Sequence, residues 1–174
     1  MYTTLAYFLA AWLSSTLTLL VLQPLIHGTV CFMFVGFKDS SLDNFFQWLS
    51  ILTLQGLSGS TFGFFFGNTF ADPVMVIIYS IFSFYGFYFG CGAYTTYQGK
   101  ETFLQWFFNV ISPFKYAAEI MMTVMLNKVS SKDKVLELFD MDVGKEVCYQ
   151  RLIIFFVSFF VFSWISLSIR AWKL

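Results

Sequence analysis

One histidine, three cysteines, and a lysine and glutamate four residues apart are the side chains best suited to reactive chemistry in this 174-residue chain. His27 follows Pro24 by three residues, in a stretch from Met1 to Phe37 that carries no Asp, Glu, Lys or Arg. An ionisable group in such a stretch is a functional suspect, and as an acid or base it would make an intramembrane enzyme. No carboxylate stands near it in the sequence, which leaves a neutral packed ring as the simpler reading. Cys31 shares that run and reads as a small packing residue. Cys91 and Cys148 either pair with each other or leave Cys148 to cross-link two subunits. Three cysteines with one histidine give no metal-ligand spacing, so no metal site is expected. Lys115 and Glu119 are spaced to pair on one helical face, and Asp72 and Glu119 are expected near interfaces, in contact with water. No Gly-x-x-x-x-Gly-Lys-Ser/Thr stretch is present to cradle phosphates, so this chain is not expected to be an enzyme by itself.

The elements that must carry these residues are set by composition. The chain is 58% hydrophobic and 11% charged, against about a quarter charged in soluble domains. Phe alone supplies 25 residues, more than a soluble core of this length would bury. Four runs are free of charge: Met1 to Phe37, Asn44 to Ala71, Pro73 to Gly99, and Leu152 to Ile169. Roughly 20 apolar residues cross a bilayer as a helix, and within lipid the backbone must satisfy its own hydrogen bonds. The expected fold is therefore an all-α, multi-pass integral membrane protein with four spans, near residues 16–36, 45–66, 74–94 and 152–170. The N-terminus has no basic region before its apolar stretch, unlike a cleaved signal peptide. Net charge is zero with no basic tract, so nucleic acid is not an expected partner.

Residues 1–14 are rich in aromatic and small side chains bracketed by Thr and Ser, which suits a helix at the membrane interface. Pro24 is expected to kink the first span. Gly59, Gly63 and Gly67 fall at four-residue spacing in the second, a pattern that lets helix backbones approach closely, and Gly86 and Gly90 repeat it in the third. Asp72-Pro73 ends one helix and starts the next. Thr102 to Leu126 is semi-apolar and broken at Ser112-Pro113, which reads as re-entrant or interfacial. Half of the twenty charges fall in Lys128 to Arg151, a solvated loop in which Ser130 is placed to cap a short surface helix.

The chain resembles the second part of the transmembrane domain of G-subfamily ABC transporters, the white and multidrug half-transporters. The likeness runs in order along the whole chain. It is carried by Tyr2-Thr-Thr-Leu-Ala-Tyr-Phe-Leu-Ala-Ala, by the segment Pro24 to Phe37, by Asn44-Phe-Phe-Gln, and above all by Ser112-Pro-Phe-Lys-Tyr116 with Glu119 and Asn127. Departures are Ser15 where an acidic residue is frequent, Leu17 where a proline is, and Lys128 in place of an acid.

The resemblance implies that residues 1–14 form a coupling helix, with Tyr2, Leu5, Tyr7 and Phe8 meeting a nucleotide-binding domain. It implies that 95–151 is an extracellular loop with a re-entrant part, and Cys91, near the end of the span before it, and Cys148 within it are candidates for an extracellular disulfide. Tyr85, Tyr88 and Phe89 would face the substrate cavity, with Ala93 and Tyr94 near a hydrophobic plug. Flat amphipathic molecules such as sterols, lipids and polycyclic drugs are held by such rings without charge recognition. ATP and magnesium would bind on a nucleotide-binding domain outside these 174 residues, in the same longer chain or a partner subunit. The assembly implied is a homo- or heterodimer, in contact with membrane lipid, in the plasma membrane or an organelle membrane. The competing function is a stand-alone four-helix scaffold, or a truncated paralogue that associates with a full transporter subunit without transporting.

Overall fold

A computed structural model describes residues 3–16, 22–35, 41–91, 103–126, 129–130, 132–138, 141 and 143–172. Every regular element among them is helical: α1 (Thr4–Thr16), α2 (Leu22–Val35), α3 (Leu42–Thr69), α4 (Pro73–Gly90), α5 (Phe103–Ile111), α6 (Pro113–Met125), α7 (Lys132–Leu138) and α8 (Lys145–Trp172). Three of these, α3, α4 and α8, are long and apolar enough to cross a membrane. α2 contributes a shorter apolar stretch, Pro24–Phe34, and residues 17–21 of the expected first span lie outside the described residues.

Helix boundaries follow local chemistry. Ser41 caps α3 by accepting from the Asn44 N–H, with Asp43 in the first turn to complement the helix dipole. Asp72 Oδ1 accepts from the Val74 N–H at 2.9 Å, and Pro73 opens α4 where its missing donor costs nothing. Pro24 is the third described residue of α2, and the kink expected in the first span falls against residues 17–21, which lie outside the described residues. α8 begins seven residues before the apolar run does, at Lys145, directly after Gly144 with its positive φ of 94°. At 28 residues it is about 42 Å long, which lets its charged first two turns stand clear of a 30 Å apolar layer.

α3 and α8 form the central pair and run parallel. Ser50 meets Tyr149 near their starts (3.1 Å), and the Asn68 amide donates to Ser163 Oγ (2.9 Å) near their ends. α2 is antiparallel to α3, with Trp48 Nε1 donating to the Gly28 carbonyl and Phe32 against Phe45. α4 is also antiparallel to α3, through Phe70 stacked on Tyr79 and Phe62 against Phe87. The tightest core lies where α6 wedges between α3 and α8: Ile51, Ile120, Cys148 and Leu152 are buried there with Tyr116 and Ala117.

α1 runs antiparallel to α8. Phe8 packs on Phe160 and Phe64, and Trp12 on Phe156 and Phe160. Residues 156–160 lie about 17–23 Å along α8, near its middle. α1 therefore follows the apolar flank of α8 instead of lying across its end, with Phe8 and Trp12 set against rings near the middle of that helix.

Candidate functional site

The Ser112-Pro113 step shapes the site. α5 stops at Ile111 and Pro113 occupies the first turn of α6, and two side chains at the break bond carbonyls nearby. Ser112 Oγ donates to the Phe87 carbonyl of α4 at 2.8 Å, and Tyr116 Oη donates to the Val110 carbonyl at 2.6 Å. Burial pushes the Tyr116 phenol above its ordinary range, against the opposing pull of Arg151, so it stays a proton donor. On the other side, Phe108 of α5 presses into α4 at Gly86 and Gly90. A Cβ at Gly90 would stand 2.5 Å from Phe108 Cβ, and one at Gly86 would stand 2.6 Å from the ring. The α5–α6 pair is thus clamped to the C-terminal half of α4.

That clamp closes one end of an apolar cavity of about 450 Å³ bounded by α2, α3, α4, α6 and α8. Its walls are the rings of Phe62, Phe84, Phe87, Phe114 and Phe155, with Gly56 and Gly59 opening space on the α3 side. Among the described residues no Asp, Glu, Lys or Arg lines it, and its polar groups are Gln55 and His27. A neighbouring groove of about 460 Å³ continues along the α3–α4 seam past Gly63, Ser80 and Tyr85, sharing Gly59, Phe62 and Phe84 with the cavity. Ring stacking and apolar contact are the recognition this seam offers.

The residues expected to line a substrate path divide. Tyr85 and Phe89 stack on each other (5.9 Å) on an exposed face of α4, and Tyr85 also reaches the groove. Tyr88 is half-buried, stacked on Phe84 and edge-on to Phe114. Ala93 and Tyr94 lie outside the described residues. Of the coupling residues, Tyr2 also lies outside them, Leu5 and Tyr7 are exposed, and Phe8 is 1% exposed in the α1–α8 contact.

Among the described residues, Gly59, Gly63 and Gly67 pack against no other helix. A Cβ at any of the three would meet nothing within 4 Å, and all three are exposed. Four-residue spacing aligned them on one face, but close approach occurs at Gly86, Gly90 and Gly28 instead. Cys91 and Cys148 are both buried free thiols, Cys91 donating to the Tyr88 carbonyl and Cys148 packed in the α3–α6–α8 core. His27 is exposed at the cavity's edge, not packed in a core. Asp72 is exposed, whereas Glu119 is 2% exposed and not solvated: its Oε1 accepts from the Gly144 N–H at 2.8 Å and ties α6 to the start of α8. The short charged helix is described from Lys132, and residue 131 between it and Ser130 lies outside the described residues.

Gln55, Phe62 and Phe84 were not singled out from the sequence, and Phe114 stood out only as part of the Ser112–Tyr116 motif. The signal for Gln55 was its standing as the one amide between Gln47 and Asn68 in α3. Phe62 and Phe84 had none to separate them from the other rings in a chain with 25.

A search of curated proteins finds no match to this chain. A protein-family model described as ABC-2 type transporter matches residues 1–126, which takes in α1 through α6 and leaves α7 and α8 beyond the matched stretch. Membrane domains of this kind work with a nucleotide-binding partner, and the long apolar helices make this an integral membrane protein. With more than two thirds of its length matched, and with the helices and uncharged seam described above, the chain belongs to the ABC-2 type transporter family.

Proposed function

We propose that this chain is the transmembrane portion of an ATP-driven exporter of the G-subfamily kind, moving lipids, sterols or other amphipathic small molecules. The observation that carries the reading is the uncharged, ring-lined α3–α4 seam, in a chain of the ABC-2 type transporter family. Substrates without net charge and with flat apolar bodies suit such walls, while ions and sugars do not.

On this reading α2, with the residues before it, is a fourth span, and the chain forms the C-terminal part of a half-transporter's membrane domain. ATP and magnesium bind a nucleotide-binding domain in the same longer chain or in a partner subunit, and these residues do no chemistry themselves. Exposed Tyr7 and Leu5 on α1 receive the push of that domain, and buried Phe8 passes it to α8 through Phe160. The α5–α6 pair and the charged segment after it face outward, in a homo- or heterodimer of the plasma membrane or an organelle membrane.

The test is ATP-dependent accumulation of a fluorescent amphipath in inside-out vesicles holding the native full-length product. Tyr88→Ala is expected to lower accumulation several-fold for at least one substrate, with expression unchanged. Equal transport of every substrate by Tyr88→Ala would remove that residue from the pathway. A native polypeptide of 20.1 kDa with no nucleotide-binding subunit co-purifying would remove the exporter reading and leave a scaffold.

A further inference from the structure

Away from the ring-lined cavity, a polar void of about 230 Å³ opens where the starts of α3 and α8 meet α6. Asp43, Asn44 and Gln47 of α3 line it with Thr123 of α6 and Lys145 of α8, and Val124 is its one apolar lining residue among those described. Two opposite charges therefore border one small volume without pairing across it. Among the described residues Lys145 donates to Gln47 Oε1, and no bond joins it to Asp43. A ligand with a single charge would satisfy one side and oppose the other, whereas a zwitterion complements both. Depth narrows the choice. Lys145 stands seven residues, about 10 Å, before the charge-free run that begins at Leu152, and Asp43 directly precedes the run that begins at Asn44. The polar zone on each face of a bilayer is roughly 5–8 Å thick, so the void lies at the level of lipid headgroups. No aromatic ring lines it, which leaves no cage for a quaternary ammonium, while its side-chain oxygens can accept from a primary one. Its volume is below the roughly 300 Å³ of the smallest drug-sized sites, so a headgroup fits and acyl chains do not. Leu42 and Phe46, in the same two turns of α3, are exposed and offer those chains an apolar surface outside.

We infer that this void is a binding site for a zwitterion that joins a primary ammonium to a phosphate, the chemistry of an ethanolamine phospholipid headgroup. The ammonium donates to the Asp43 carboxylate, and the phosphate accepts from Lys145. A lysine ammonium has three N–H donors, so the bond to Gln47 leaves two for the phosphate. The site shares no residue with the α3–α4 seam, and its occupancy does not depend on whether the chain exports anything. A headgroup seated there touches α3, α6 and α8 together.

The test is titration of the detergent-purified full chain with phosphatidylethanolamine, phosphatidylcholine and phosphatidylglycerol of identical acyl chains, with bound lipid counted by native mass spectrometry. The ethanolamine lipid is expected to bind about tenfold more tightly than either, since the choline group cannot donate to Asp43 and the glycerol group has no ammonium. Asp43→Asn is expected to remove that advantage over the choline lipid. This variant keeps the helix start, because Asp43 is exposed and Ser41 supplies the cap. Lys145→Gln is expected to weaken the ethanolamine and choline lipids alike, because both carry the phosphate, and Lys145→Arg is expected to restore them. Free phosphoethanolamine separates the two sources of this chemistry. Tight binding of the lipid alone makes the ligand a membrane component, the expected result, and equally tight binding of the free zwitterion makes it a soluble one. Equal affinity for the ethanolamine and choline lipids, or an unchanged preference in Asp43→Asn, overturns recognition of the ammonium. Parental binding by Lys145→Gln, or saturable binding of neither the ethanolamine lipid nor phosphoethanolamine, overturns the site itself.

Discussion

Substituting alanine at two glycines of the same apparent motif is expected to have opposite effects. At Gly90 the new Cβ would stand 2.5 Å from Phe108 Cβ and 3.1 Å from the Phe108 carbonyl carbon. Backbone cannot rotate out of the way, so α5 must move off α4. Overpacking of this kind costs about 1–3 kcal/mol. Alanine's better helix propensity returns at most about 1 kcal/mol, and less at the last residue of a helix. The net expectation for Gly90→Ala is a loss of about 1–2 kcal/mol. At Gly59 the same substitution meets nothing and lies inside α3, so it is expected to gain about 0.5–1 kcal/mol. Gly86→Ala should fall between them, since it meets the far end of the Phe108 ring, 2.6 Å away, which has some freedom to turn. The assay is reversible unfolding of the purified chain in mixed micelles by titration with a denaturing detergent, followed by far-ultraviolet circular dichroism. Gly90→Ala as stable as the parent would mean that α5 does not rest on α4. A loss of more than about 1 kcal/mol for Gly59→Ala would mean that the stripe is packed after all, and the reasoning from its open face would fail.

Three further outcomes follow from single contacts. Glu119→Ala strips the Gly144 N–H of its acceptor and is expected to cost about 1–3 kcal/mol, with faster hydrogen exchange at the start of α8; Glu119→Gln keeps an acceptor and should cost less. Phe8→Ala removes a ring that is 1% exposed and is expected to cost about 3–5 kcal/mol, read as loss of exchange protection confined to α1. A double-mutant cycle of Asn68→Ala with Ser163→Ala should return a coupling of about 0.5–1.5 kcal/mol, and a value near zero would show that the amide does not join α3 to α8.

What the sequence made legible was whatever depends on a residue and its immediate neighbours. The charge-free runs beginning at Asn44, Pro73 and Leu152 became α3, α4 and α8 because hydropathy sums over a whole helix. The turn at Asp72-Pro73 and the break at Ser112-Pro113 rest on backbone chemistry that proline imposes wherever it stands. α8 starts seven residues before the span expected from Leu152, because Lys145, Glu146 and Arg151 end an apolar run without ending a helix. Glycine spacing located faces but not their partners: Gly59-x-x-x-Gly63 and Gly86-x-x-x-Gly90 look alike, and only the position of Phe108 separates them. Glu119 was assigned to water because acids usually are, yet the Gly144 N–H that holds it lies 25 residues away. The cavity was invisible for the same reason, being made by five helices at once.

The hydrogen bonds between α3 and α8 have a mechanical meaning. Ser50 to Tyr149, Asn68 to Ser163, Thr69 to Ser166 and Arg170 to the Phe70 carbonyl span about 26 Å or more of helix, pinning the pair at both ends. α4 meets α3 through smooth ring faces, Phe62 on Phe87 and Phe70 on Tyr79, which slide without any bond being broken. The bundle is thus stiff along one pair and compliant along the other. A load delivered through α1 to the middle of α8 would move the α3–α8 strut as a single beam, and the shear would be taken up at its seam with α4.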